Sequence, residues 1–221
     1  MSTVERPLRR DAERNRQRIL EAARELFTER GLGVTLNDIA RHAGCGVGTV
    51  YRRFPDKELL IDALFEERIG RLVEIARDSL TIEDPWQGLT AFMEKGLEAM
   101  AGDRGLKELL LSSDQGCSRE RIAAARERLQ PMIDALVARA HASGALRQDI
   151  EPRDMPILQV MFGAVIDASQ DVEPQLWRRY LEIVMRGLRA EPTNPGPLPV
   201  GALDDESLEV VLSSVRPPLR R

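Results

Sequence analysis

The sequence predicts an all-α protein, with an N-terminal head of three helices followed by a longer helical body. Three observations lead there. Aromatic residues make up only 4% of the 221 residues, and β-branched residues are scattered rather than alternating. Apolar residues recur at spacings of three and four along most of the chain as far as Arg189. Between Thr35 and Lys57, the stretch TLNDIARHAGCGVGTVYRRFPDK has the form of a helix, a glycine turn and a second short helix.

The first helix is expected from about Asp11 to Arg30, with Ile19, Leu20, Ala22, Ala23, Leu26 and Phe27 as its apolar stripe and Gly31 as its stop. Thr35 suits an N-cap, because its hydroxyl can accept from a free amide of the next turn, and Asp38 adds negative charge there. Leu36, Ile39, Ala40 and Ala43 then form an apolar face that Gly44 ends. In the following VGTVYRRF, the spacing places Val47, Val50 and Phe54 on one side. Thr49, Tyr51, Arg52 and Arg53 are left outward. A hydroxyl, a phenol and two guanidiniums on one helix suit phosphates and the base edges of a major groove, where arginine can pair with guanine in bidentate fashion.

Residues 16 to 66, including ILEAARELFTERG and VTLNDIARHAGCGVGTVYRRFPDKELLIDALFEE, resemble the DNA-binding domain of the TetR family of transcriptional regulators. The resemblance covers about a quarter of the chain. Helix, turn, second helix, the YxxF close and the lysine-led helix follow in the family's order. It implies a helix-turn-helix head at residues 1–56 and a helical effector-binding and dimerisation body at 57–190. It also implies that Lys57 touches a phosphate at the start of a long connecting helix. The expected DNA-binding set is Thr35, Gly48, Thr49, Tyr51, Arg52, Arg53 and Lys57. Within it, Thr49 and Arg52 are assigned to base edges or nearby phosphates; Tyr51, Arg53, Lys57 and Thr35 are assigned to the backbone.

Charge distribution agrees with a reading head. The chain carries −4 overall, but residues 1–60 hold 12 Lys/Arg against 9 Asp/Glu, a net +3 that leaves −7 on the rest. Six of those arginines, Arg6, Arg9, Arg10, Arg14, Arg16 and Arg18, precede the apolar stripe. They read either as a solvated arm or as an arm that touches phosphates.

Beyond the head, Asp56 is expected to cap a helix to about Leu80, with Leu59, Leu60, Ala63, Leu64 and Ile69 inward. Pro85 opens another, ended by the glycines Gly102 and Gly105. A short apolar helix is expected at 106–112, and a long one from Arg119 to Ser143 with Gly144 as its C-cap. Two more follow, from an Asp154 cap to about Gln170 and from Pro174 to Arg189. The first of these is apolar nearly all round, so it needs cover on more than one side. A central place in the monomer core would supply that; so would a second subunit, and the resemblance implies that the last two body helices pair with their copies in a homodimer. Residues 191–221 are proline-rich and expected to be a flexible tail in which only DDESLEVVLSS could form a turn or two of helix.

The resemblance further implies a small-molecule effector, and the candidate ligand-binding residues are Trp86, Phe92, Met93, Met132, His141, Phe162 and Asp167. The same methionines and aromatics suit an ordinary core, and His141 and Asp167 suit a surface or subunit contact equally. No catalytic constellation, metal-ligand spacing or cofactor motif is present in the sequence. His42 and His141 stand far apart, and GCGVG lacks the GxGxxG spacing and the preceding strand of a nucleotide loop. Cys45 and Cys117 make no disulfide framework. No apolar run reaches 18 residues and no signal-peptide pattern is seen, so no membrane association and a cytoplasmic location are expected. The function expected is a non-enzymatic regulator binding double-stranded operator DNA, most commonly a repressor released by its effector. An activator, an architectural DNA binder without an effector, and a helical enzyme or carrier using the body pocket are the alternatives.

Overall fold

The computed structural model describes residues 5–30, 33–102, 119–190 and 198–214. The expected helix at 106–112, Gly31 and Cys117 lie outside them. The helices are α1 (Glu5–Arg30), α2 (Leu36–His42), α3 (Val47–Arg53), α4 (Lys57–Leu80), α5 (Pro85–Gly102), α6 (Arg119–Ala142), α7 (Asp154–Ser169), α8 (Leu176–Leu188) and α9 (Asp205–Ser214). No strand occurs among the described residues; a single isolated bridge joins Leu146 to Arg189. The described residues divide into two compact units, with the boundary between Arg68 and Ile69, so α4 contributes to both.

In the first unit, α1 packs on α2 and α2 on α3. Ile19, Leu20, Ala23, Leu26 and Phe27 of α1, Ile39 and Ala40 of α2, Val50 of α3, and Leu60 and Leu64 of α4 are buried. Arg24 on α1 meets Glu67 on α4 at 3.1 Å, and His42 on α2 meets Glu25 on α1 at 2.6 Å. Two residues expected inward are not. Val47 and Leu59 are 45% and 46% exposed, because each sits off the arc that its helix buries in this unit. Pattern alone cannot set the edge of that arc in the first turn of a short helix.

The second unit encloses a core of Leu89, Phe92, Met93 and Leu97 from α5, Ile133, Leu136, Val137 and Ala140 from α6, Met155, Phe162 and Ile166 from α7, and Trp177, Leu181 and Met185 from α8. Asp84 caps α5 by accepting from the amides of Trp86 at 2.8 Å and Gln87 at 3.1 Å, with Pro85 in the position where no amide partner is needed. The α4–α5 corner is tight: a Cβ on Gly88 would lie 2.8 Å from the Ser79 carbonyl oxygen. Arg139 of α6 closes the same corner by donating to the carbonyls of Leu80 at 2.5 Å and Ile82 at 2.7 Å, satisfying an end of α4 that has no further helical turn to do so. Gly144 adopts φ +72 as the cap after α6. Asp154 is the first residue of α7, and its carboxylate accepts from the Glu151 amide at 2.8 Å.

Within the segment expected to be a tail, the stretch for which the sequence allows a turn or two of helix forms α9. α9 packs on α6, Leu208 is wholly buried, and Arg153 reaches Asp205 at 3.8 Å. Composition favoured a tail because proline dominates its two ends; one leucine at the right phase on a ten-residue helix is enough to dock it.

Candidate nucleic-acid interface

The reading pair is built from local bonds that its sequence supplies. At the start of α2 the Thr35 hydroxyl oxygen accepts from the Asp38 amide at 3.2 Å. The Asp38 carboxylate in turn accepts from the Thr35 amide at 3.1 Å and from its hydroxyl at 2.5 Å. This is a reciprocal capping box. The Thr35 hydroxyl bond, more than any other contact, holds the Asp38 carboxyl below the ordinary aspartate range, with the Thr35 amide adding to it. Thr35 therefore has a structural job in the free protein, and a phosphate contact for it rests on the resemblance alone.

α2 ends in a turn that closes its last carbonyls. The Cys45 amide donates to Ala40 at 3.1 Å and the Gly44 amide to Arg41 at 3.3 Å, with Gly44 at φ +62. That is the arrangement in which a left-handed residue after the helix lets the chain turn back on it. A third partner comes from α1: Arg18 Nη2 donates to the Ala43 carbonyl at 2.6 Å. Arg18 had been grouped with the N-terminal arm, yet its guanidinium is committed to this turn. The arginine-rich arm pattern hides it, since nothing in sequence distinguishes a surface arginine from one that caps another helix 25 residues away.

α3 follows with Gly46 as its N-cap and the Thr49 amide donating to Gly46 at 2.8 Å. Val50 and Phe54 anchor it inward. At 100° per residue the outward arc has Gly48 and Arg52 at its middle, Val47 and Tyr51 together along one side, and Thr49 and Arg53 along the other. Val47, Gly48, Tyr51, Arg52 and Arg53 are exposed and Thr49 is half-buried. Five of the seven expected DNA-binding residues thus share one short helix. A Cβ on Gly48 would meet nothing within 4 Å, so the fold of the free protein does not require glycine there. Lys57 opens α4 with its ammonium 5.4 Å from the Phe27 ring centroid; burial of its stem lowers its pKa from the ordinary lysine value. Asp56 caps that helix through the Leu59 amide at 2.8 Å.

The expected ligand-binding residues sit in the second unit in two settings. Phe92, Met93 and Phe162 belong to the buried core, with Trp86 and Met132 packed against it. His141 Nε2 lies 2.9 Å from the Arg147 carbonyl oxygen, a bond that fastens the connection after α6, and Asp167 is half-buried on α7. Two concavities on this unit lie elsewhere, one of about 460 Å³ along Arg179, Glu182, Ile183 and Arg186 of α8, the other of about 340 Å³ between α7 and α8 beside Val165, Ala168, Val172 and Tyr180. Among the described residues no group of three or more His, Cys, Asp or Glu could hold a metal ion. No described helix is long and apolar enough to cross a membrane.

A capped helix, a glycine turn and a short arginine-bearing helix, packed with α1 and the start of α4, define a helix-turn-helix DNA-binding protein. Residues 19–64 match the family of bacterial regulatory proteins named for TetR, and residues 84–190 match the C-terminal domain of SbtR-like transcriptional regulators. A TetR transcription regulatory protein from Mycobacterium vanbaalenii is 34% identical, with a TM-score of 0.63 over 83% of this chain and 100% of that one. SmeT, the repressor of a multidrug efflux pump of Stenotrophomonas maltophilia, is 25% identical with a TM-score of 0.58 over 83% of this chain and 97% of its own. An HTH-type transcriptional regulator of Staphylococcus aureus is 51% identical over 51 residues, which span 23% of this chain and 28% of that relative. The chain belongs to the TetR family of transcriptional regulators.

Proposed function

We propose that this chain is a homodimeric repressor that holds an operator through α3 of each subunit and releases it when a small molecule occupies the body. The outward face of α3 carries the reading. Arg52 at its middle is the residue for a base edge, with Thr49 beside it; Tyr51, Arg53 and Lys57 serve the phosphates that fix register. Gly48 lets the duplex backbone or a base edge approach the helix closely. Such a regulator performs no chemistry of its own and works in the cytoplasm, where the DNA is.

A second apolar stripe supports the homodimer. On α7 and just beyond it, Met161, Ala164, Ala168 and Val172 are exposed; on α8, Tyr180, Ile183 and Gly187 are exposed while Trp177, Leu181 and Met185 face the core. The spacings of three and four on the outer faces are those of a helix seam, and the two concavities described above lie along them. A copy of the same face would cover them, and two heads on one dimer read the two half-sites that a single seven-residue helix cannot make selective.

Repression is the sense taken from SmeT, and release follows from the shared helix. Because α4 contributes to both units, a ligand that favours one arrangement of the body alters where α4 holds the head. Successive major grooves demand heads roughly 34–36 Å apart. The effector acts only as far as its affinities for the two arrangements differ. Trp86, Phe92, Met93, Met132, His141, Phe162 and Asp167 are the residues proposed around it, reached by repacking of the core.

The test is selection of bound duplexes from a random-sequence library by the full chain, then titration of the recovered site. We expect a two-fold symmetric site, and Arg52→Ala should cost about 1–3 kcal/mol while relaxing preference at one G·C pair per half-site. Unchanged affinity in that variant removes Arg52 from the interface. Binding without sequence preference supports an architectural role instead.

A further inference from the structure

We propose that Val47 reads a thymine, its isopropyl group packing against the C5-methyl in the major groove. The inference rests on the operator reading above and names part of what that reading recognises. Val47 lies three residues before the buried Val50, where the spacing puts it inward, but it is 45% exposed and beside Tyr51 on the outer arc. It is the one apolar aliphatic side chain on an arc otherwise made of a phenol, a hydroxyl and two guanidiniums. The residue that follows it in sequence, nearer the middle of that arc, is Gly48, which has no side chain and where a Cβ would meet nothing within 4 Å.

The chemistry singles out one base. In the major groove every base edge offers hydrogen-bonding groups, and only thymine adds a methyl. Arginine, threonine and tyrosine answer the former. A branched aliphatic group has no hydrogen bond to give, so what it can recognise there is that methyl. A glycine at the next position, where the fold needs none, gives the room for helix and base to close to van der Waals contact.

The test uses the full chain and a duplex recovered from a random-sequence library, remade with each thymine in turn replaced by deoxyuridine, which lacks only the methyl. For the wild-type chain one thymine per half-site should show about a fourfold loss of affinity on replacement, the worth of one buried methyl, and about fifteenfold when both half-sites carry it. In Val47→Ala that dependence should vanish at that thymine and persist nowhere else, and Val47→Thr, which keeps one methyl and the shape, should retain part of it. The site is half exposed, so both variants should keep the helical circular dichroism of the wild type. A site whose thymines all tolerate deoxyuridine, or a methyl dependence that Val47→Ala retains, overturns the inference while leaving operator reading intact. Failure of the wild-type chain to select any sequence removes the operator reading and this inference with it.

Discussion

Replacing Gly48 with alanine should move stability and DNA affinity in opposite directions. Gly48 is the second residue of α3, has no positive φ, and offers open space to a Cβ. Alanine is favoured over glycine inside a helix by up to about 1 kcal/mol, and about half of that is reasonable in a first turn. For a chain of this size that corresponds to a rise of about 1–2 °C in the unfolding midpoint. If the duplex closes on α3 at Gly48, the added methyl is an overpacked contact costing about 1–3 kcal/mol per head. Thermal unfolding by circular dichroism and fluorescence anisotropy with a selected duplex give the two numbers. Lower stability would mean that the fold does need glycine there. Raised stability with unchanged affinity would mean that DNA does not approach α3 at that position. Either result refutes the reasoning.

Three further variants test other parts of the structure. Arg18→Gln removes the charged donor to the Ala43 carbonyl and should destabilise the turn by about 1–3 kcal/mol. It should weaken DNA binding with no change in the slope of log affinity against log salt; a slope smaller by about one unit would place Arg18 on a phosphate instead. Gly88→Ala should cost about 1–3 kcal/mol in denaturant unfolding, because the new Cβ falls 2.8 Å from the Ser79 carbonyl oxygen, a backbone atom with little room to yield. Ile183→Asp sits on a side chain 52% exposed in the single chain, so it should leave helicity unchanged yet yield monomers in sedimentation velocity. A dimer that survives this change refutes the α7–α8 seam.

Much of the head was legible in the residues because its determinants are local. Thr35 with Asp38, Gly44 in the turn and Asp56 before α4 act within a few residues of where they stand, and each does what its type and spacing suggest. The body was legible as helices but not as a site. Phe92 and Phe162 carry the same side chain whether they fill a core or line a cavity, and only their neighbours in space decide.

The sequence by itself determined the all-α class, the helix-turn-helix motif with its arginine-bearing second helix, and most helix limits, because capping and periodicity act over one or two turns. Tertiary structure alone decided that Val47 and Leu59 face outward, that Arg18 closes a turn rather than joining an arm, that Arg139 seals the end of α4, and that α9 docks through Leu208. Each of these depends on which surface a distant helix covers, and the free energy of covering it is set by packing between elements that are remote along the chain.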